Sequence, residues 1–270
     1  MKFTILGVRG SMPNTADRLR TFGGATSGYL VEIGDEAIYL DAGSGLMRPC
    51  DTADKNISIL LSHPHLDHII GLPIFLMNQK KDQRVTIYAK QRKDLDARAQ
   101  VDRVFSPPTW PIRMDENANP VIYQTLPEEK ESSFEIGDVT VETLEGNHPG
   151  GCSIYRLTHD GKRIVYATDY EHSADSDERL IAYAKDCDLL IYDGQYTEDE
   201  YEKCRGFGHS TAEHGLSIAE SAGAAYLLIT HFNPDHTDEF LKNREEEIKK
   251  KAVDLPFTVT FAKVGDTIEL

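Results

Sequence analysis

The stretch LLSHPHLDHIIG, residues 60–71, crowds His63, His65, Asp67 and His68 into six consecutive positions. Just upstream, Ile57 to Leu61 form a continuous apolar-rich run, which reads as a buried strand. Downstream, His68, Ile69, Leu72, Phe75 and Leu76 recur at helical spacing, so a short helix should follow. The motif therefore falls on a strand-to-helix turn, where two rigid elements can aim several side chains at one point. Imidazole and carboxylate together suit zinc, iron or manganese. Four such groups packed into one turn without a cation would suffer desolvation and mutual repulsion.

The H-x-H-x-D-H spacing in SHPHLDH resembles the signature of the metallo-β-lactamase superfamily. The resemblance implies a two-metal hydrolase on an α/β (α+β) fold, a four-layer αββα sandwich with two facing sheets and helices outside. The rest of the chain can be read against that expectation. Strand-like segments run Phe3–Leu6, Tyr29–Ile33, Ala37–Leu40, Ile57–Leu61 and Val85–Tyr88. More follow at Val139–Leu144, Ser153–Leu157, Ile164–Ala167, Leu189–Tyr192, Tyr226–Ile229, Thr258–Ala262 and Thr267–Leu270. Helical patterns cover Asp94–Val104, Asp177–Ala184, Thr211–Ser221 and Thr237–Ala252. This mixture suits the αββα architecture.

With no internal repeat or low-complexity linker, residues 1–270 read as one domain. Residues 106–133, SPPTWPIRMDENANPVIYQTLPEEKESS, are rich in proline and polar residues and hold the only tryptophan, Trp110. A segment of this kind is either a lid or substrate loop, or a surface connection anchored by Trp110.

Composition narrows the function. Hydrophobic residues make up 40% and charged residues 27% of the 270, ordinary values for a globular protein. No apolar run approaches membrane-spanning length, and MKFTILGVRGS reads as a first strand rather than a signal peptide. Cytoplasmic residence is the expectation. Cys50, Cys152, Cys187 and Cys204 are scattered without a C-x-x-C pair, which argues against a disulfide framework or a cysteine zinc site. The formal net charge is −16, with 45 acidic against 29 basic residues. That balance disfavours long nucleic acid as a substrate and leaves room for a small anion. A homodimer is compatible with this composition.

The superfamily resemblance implies further ligands from distant loops. His148 follows a strand in LEGNHPGGCS, Asp169 ends the strand in RIVYATDYEH, and His231 ends the strand in AYLLITHFNPDH. The implied sets are His63, His65, His148 and Asp169 for one metal, and Asp67, His68, Asp169 and His231 for the other. Two divalent ions are expected, zinc foremost, with manganese or iron(II) able to use the same donors. Asp41, in IYLDAGSG, is implied to support the histidine-bearing loop by hydrogen bonding.

The segment GFGHSTAEHGLSIAESAGAAYLLITHF, residues 206–232, resembles the H-S-T stretch of ribonuclease Z and related phosphodiesterases. That likeness implies catalysis by His209, assisted by Asp193 of DLLIYDGQYT, where ribonuclease Z has glutamate; Asp67 joins them in the expected catalytic set. The basic arm for gripping transfer RNA is not recognisable, and the opening looks like that of small bacterial phosphodiesterase-type members. In that opening, GVRGS and FGGATS are glycine-rich turns flanked by Arg9, Arg18 and Arg20. Composition leaves phosphate contact and solvated hairpin turns equally open. The reading that results is a dinuclear phosphodiesterase acting on a small phosphodiester, such as a cyclic nucleotide or cyclic sugar phosphate. Its alternatives are a ribonuclease acting on RNA ends and a metal-binding module without hydrolytic activity.

Overall fold

The computed structural model describes residues 1–116, 120–129 and 131–270. One sheet comprises β1 (Lys2–Gly7), β2 (Gly28–Ile33), β3 (Glu36–Leu40), β4 (Asn56–Leu61), β5 (Val85–Lys90), β6 (Val121–Leu126) and β14 (Thr267–Glu269). The other comprises β7 (Glu131–Ile136), β8 (Val139–Gly146), β9 (Cys152–His159), β10 (Lys162–Ala167), β11 (Leu189–Asp193), β12 (Tyr226–Thr230) and β13 (Thr258–Phe261). Their strand orders are β14-β1-β2-β3-β4-β5-β6 and β13-β12-β11-β10-β9-β8-β7. In the first, three antiparallel pairings from β14 are followed by three parallel ones. The second repeats that pattern from β7. The repetition lies in topology, where a search for sequence repeats cannot find it.

Alternation along the strands explains the layers. In β2, Tyr29, Val31 and Ile33 join the core between the sheets, while Leu30 joins the outer cluster. In β3, Ile38 and Leu40 face inward and Ala37 and Tyr39 outward. Both faces of the first sheet are therefore buried, as strands in parallel pairing require. Its outer cluster includes Leu72, Phe75 and Leu76 of α2 (Leu72–Met77) and Ala97 and Val101 of α3 (Ala97–Asp102). The second sheet is covered by α4 (Ala174–Tyr183), α6 (Ala212–Ala222) and α7 (Asp238–Lys251). This is the αββα sandwich.

The segment 106–133 is less irregular than its composition suggests. VIYQTL forms β6, the edge of the first sheet, and ESSFEI forms β7, the edge of the second. An edge strand pairs on one side only and buries little, so its apolar pattern is weak. The irregular part of the segment is thus limited to the stretch before β6 and the connection to β7; residues 117–119 and 130 lie outside the described residues. Trp110 is half-buried, set edge-to-face on Phe105 and packed against the outer cluster, as a hydrophobic anchor would be.

Candidate metal centre

The site gathers at the carboxyl ends of strands from both sheets, four of them in parallel pairing and β8 in antiparallel pairing; carboxyl strand ends are where open α/β sheets characteristically form crevices. After β4, the chain turns through Ser62 and His63 into α1 (Leu66–Ile69), whose first turn carries Asp67 and His68. His148 follows β8, Asp169 follows β10, Asp193 ends β11, and His231 follows β12. Asp41, Asp169 and His231 all adopt left-handed backbone, with φ of 58°, 56° and 60°. Such conformations cost about 1–3 kcal/mol each and cluster at functional sites.

The Asp169 side chain lies at the centre. Its Oδ1 is 3.6 Å from His63 Nε2 and 3.9 Å from His148 Nε2. Its Oδ2 is 3.1 Å from His68 Nε2 and 3.2 Å from His231 Nε2. Each carboxylate oxygen therefore faces a different group of histidines. On the first side, His65 Nδ1 lies 3.2 Å from His148 Nε2. On the second, Asp67 Oδ2 lies 3.2 Å from His68 Nε2 and 3.3 Å from His231 Nε2, and the two histidine nitrogens are 3.3 Å apart. His63 Nε2 and Asp169 Oδ2 are buried with no hydrogen-bond partner. Orphaned lone pairs converging from nitrogen and oxygen donors fit divalent cations.

The outer partners fix the donors. Asp41, fully buried, accepts bonds from Ser62 N (2.7 Å), Ser62 Oγ (2.8 Å), Tyr166 OH (2.6 Å) and His68 Nδ1 (2.6 Å). It thus turns His68 Nε2 toward the cluster, as expected of a carboxylate behind a ligand histidine. His148 Nδ1 donates to Gly208 O at 2.9 Å, which frees Nε2. The Ser11 amide donates to Asp67 Oδ2 at 2.7 Å. Neither the Ser11 contact nor those of Ser62 and Tyr166 with Asp41 were anticipated from the sequence.

Asp193 holds His209. The Asp193 carboxylate accepts from His209 Nδ1 (2.9 Å), from the amides of Asp169 and Gln195 (3.0 Å each) and from the Ser210 amide (3.2 Å). His209 stacks on His231 with ring centroids 5.0 Å apart, and its Nδ1 is 3.9 Å from Asp169 Oδ1. Thr211 caps α6, accepting from His214 N. Ser210 Oγ engages Tyr192 OH and His172 Nδ1.

The arginines of the opening segment are otherwise engaged. Buried Arg9 donates to the carbonyls of Gly23, Asn233 and His236 at 2.8, 3.0 and 2.6 Å, tying the opening loop to the one after β12. Exposed Arg18 and Arg20 pair with Asp235 and Asp17. Arg9 is therefore a structural brace, not a phosphate contact. The Cys152 thiol is buried, which pushes its pKa well above the ordinary value.

Protonation divides the two histidine groups. Burial lowers the pKa of His63, His65 and His148, so their lone pairs are available at neutral pH. His68 and His231 are also penalised by burial, but Asp169 and Asp67 outweigh it. His68 is held well above its usual 6.5 and His231 is raised to about 9. A cation in the Asp67–His68–His231 group must displace protons; one in the His63–His65–His148 group meets neutral imidazoles. Proton competition grows as pH falls, so the second metal equivalent should weaken from about pH 9 downward. The first should change little above pH 6.5. Titration calorimetry in buffers of different ionisation enthalpy should count more protons released by the second equivalent. Equal counts would contradict this division.

The fold and site place the protein among the metallo-hydrolases of the αββα class. The chain belongs to the beta-lactamase superfamily, whose domain model matches residues 37–232. The probable metallo-hydrolase YhfI of Bacillus subtilis is 28% identical over 241 residues, covering 86% of each chain. The crystal structure of YhfI superimposes with a TM-score of 0.75 at 24% identity, covering 100% of this chain and 99% of that one. Ribonuclease Z of Natronomonas pharaonis is 22% identical over 317 residues, covering 100% of this chain and 98% of its own. A diphosphatase of the PhnP family shares the fold with a TM-score of 0.64 at 19% identity, covering 100% and 97% of the two chains. No helix among the described residues is long and apolar enough to cross a membrane.

Proposed function

We propose that this metallo-hydrolase is a dinuclear phosphodiesterase acting on a small phosphodiester such as a cyclic nucleotide or cyclic sugar phosphate. The observation that carries this reading is His209, oriented by Asp193 at 2.9 Å and stacked on His231 beside the metal-type cluster. Hydrolysis of an alkyl phosphodiester expels a poor leaving group, and a positioned proton donor serves that need.

His63 Nε2, His65 Nδ1, His148 Nε2 and Asp169 Oδ1 would hold one divalent ion. Asp67 Oδ2, His68 Nε2, His231 Nε2 and Asp169 Oδ2 would hold the other. Two ions bound there supply Lewis acidity toward phosphoryl oxygens and make water more acidic. His209 gives the Nε2 proton to the departing oxygen, and Asp193 keeps hold of the Nδ1 proton throughout. Asp67, fixed by the Ser11 amide, and Asp41, behind His68, keep the donors in place.

The relatives named ribonuclease Z favour a second reading, cleavage at RNA ends. The charge of −16 weighs against a long polyanion. Elemental analysis of protein purified without chelator should find about two divalent equivalents per chain. A parallel hydrolysis screen should show turnover of bis(p-nitrophenyl) phosphate and cyclic nucleotides above that of a thioester, a β-lactam and 3′-extended RNA. A metal content near zero after supplementation, or a thioester or lactam as the best substrate, would remove the reading.

A further inference from the structure

Between α5 (Glu198–Cys204) and His209 the chain reads Arg205-Gly206-Phe207-Gly208, and Phe207 stands 62% exposed. Gly206 and Gly208 have φ of 89° and 91°, backbone that favours glycine. A turn of this kind could wander, yet it is fixed on both sides of the aromatic residue. Glu171 accepts the Gly206 amide at 2.6 Å through Oε1 and the Gly208 amide at 2.8 Å through Oε2. The Phe207 amide donates to Cys204 O at 3.1 Å. Gly208 O receives His148 Nδ1, and a Cβ at residue 208 would lie 2.0 Å from that same nitrogen. The turn is therefore seated directly on the metal-type cluster. Phe207 is two residues from His209, a reach of at most about 7 Å between Cα atoms.

Single exposed apolar side chains are ordinary. An aromatic ring left exposed on a turn whose flanking amides are both held by one carboxylate, two residues before His209, is a different arrangement. Two other loops of the cluster also expose apolar groups: Leu66 (39%), between His65 and Asp67, and Met12 (50%), next to Ser11. We propose that Phe207 is a stacking platform for a nucleobase carried by the substrate, whose phosphodiester lies at the cluster. The proposal rests on the phosphodiesterase reading and chooses nucleotide over sugar phosphate within it. A ribose without a base offers hydroxyls that lose hydrogen bonds to water against a benzene ring. Every base offers a π-face, and a base-on-ring stack is worth about a 5- to 150-fold difference on removal.

The test compares kcat/KM on adenosine 2′,3′-cyclic phosphate and on methyl β-ribofuranoside 2,3-cyclic phosphate, which replaces adenine by methoxyl. Bis(p-nitrophenyl) phosphate is assayed alongside. The wild type should prefer the adenosine compound by about 5- to 150-fold. Phe207→Ala should erase that preference and Phe207→Trp keep it, with metal content equal to wild type in both. Phe207→Leu, apolar but not flat, should lose most of it and gives the answer if Phe207→Ala loses metal. The inference is overturned if the wild type shows no preference, if the alanine variant retains it, or if only the aryl diester is cleaved. A wild type that cleaves none of the three removes the phosphodiesterase reading, and this inference with it.

Discussion

Asp169→Ala is expected to remove at least one metal equivalent and to lower kcat/KM by about a thousandfold or more. Loss of an outer partner alone typically costs about 10–100-fold in metal affinity or activity. Asp169 is no outer partner: its two oxygens face separate histidine groups, and it is nearly fully buried. Its removal leaves His63, His68 and His231 without the carboxylate they share. Alanine at φ 56° adds backbone strain unrelated to metal binding. Asp169→Asn separates the two effects, because asparagine tolerates this conformation and retains the volume while losing the charge. The asparagine variant should therefore keep its fold and still lose metal. Elemental analysis and circular dichroism on both variants would decide this. Two metals and full turnover in Asp169→Asn would show that the carboxylate does not bridge.

How far the sequence disclosed this arrangement depends on whether a feature is local. Strand ends are local: an apolar run stopping at Asp41, Asp169 or His231 can be seen without a structure, and so can the crowded turn at His63 to His68. The resemblance to a known family is what joined these positions, because spacing alone cannot bring His65 to His148 or Asp67 to His231. Partners chosen by tertiary packing were out of reach. Tyr166 reaches Asp41 from the opposite sheet, and nothing around either residue announces the pairing. Arg9 looked available to an anion, whereas three distant carbonyls claim it. Edge strands β6 and β7 escaped notice because they lie in a segment whose prolines and polar residues mask short β patterns. Glu171, which holds the turn before His209, carries no sequence signal: it accepts from two backbone amides, which any sequence would offer, and from the distant Tyr201 OH.

His209→Ala is expected to leave metal content near that of the wild type while lowering activity by an amount that depends on the leaving group. His209 Nδ1 lies 3.9 Å from Asp169 Oδ1, but its bond at 2.9 Å goes to Asp193, which engages that nitrogen. A proton donor in this position typically contributes about 10²–10⁴-fold. That benefit is realised only where the departing oxygen needs the proton. Nitrophenolate leaves readily without one, whereas a sugar alkoxide does not. The variant should therefore lose about 10²–10⁴-fold on an alkyl phosphodiester and far less on bis(p-nitrophenyl) phosphate. Asp193→Asn should reproduce the same asymmetry more weakly, because it perturbs the orientation of the imidazole and leaves the imidazole present. Comparable losses of His209→Ala on both substrates would argue against a leaving-group role and point to binding or charge stabilisation instead. Loss of a metal equivalent from His209→Ala would move the residue in among the ligands, since His209, Asp169 and His231 also bring donor atoms within 4.8 Å of one another. Metal analysis and the two-substrate rate comparison, made on the same preparation, separate these outcomes.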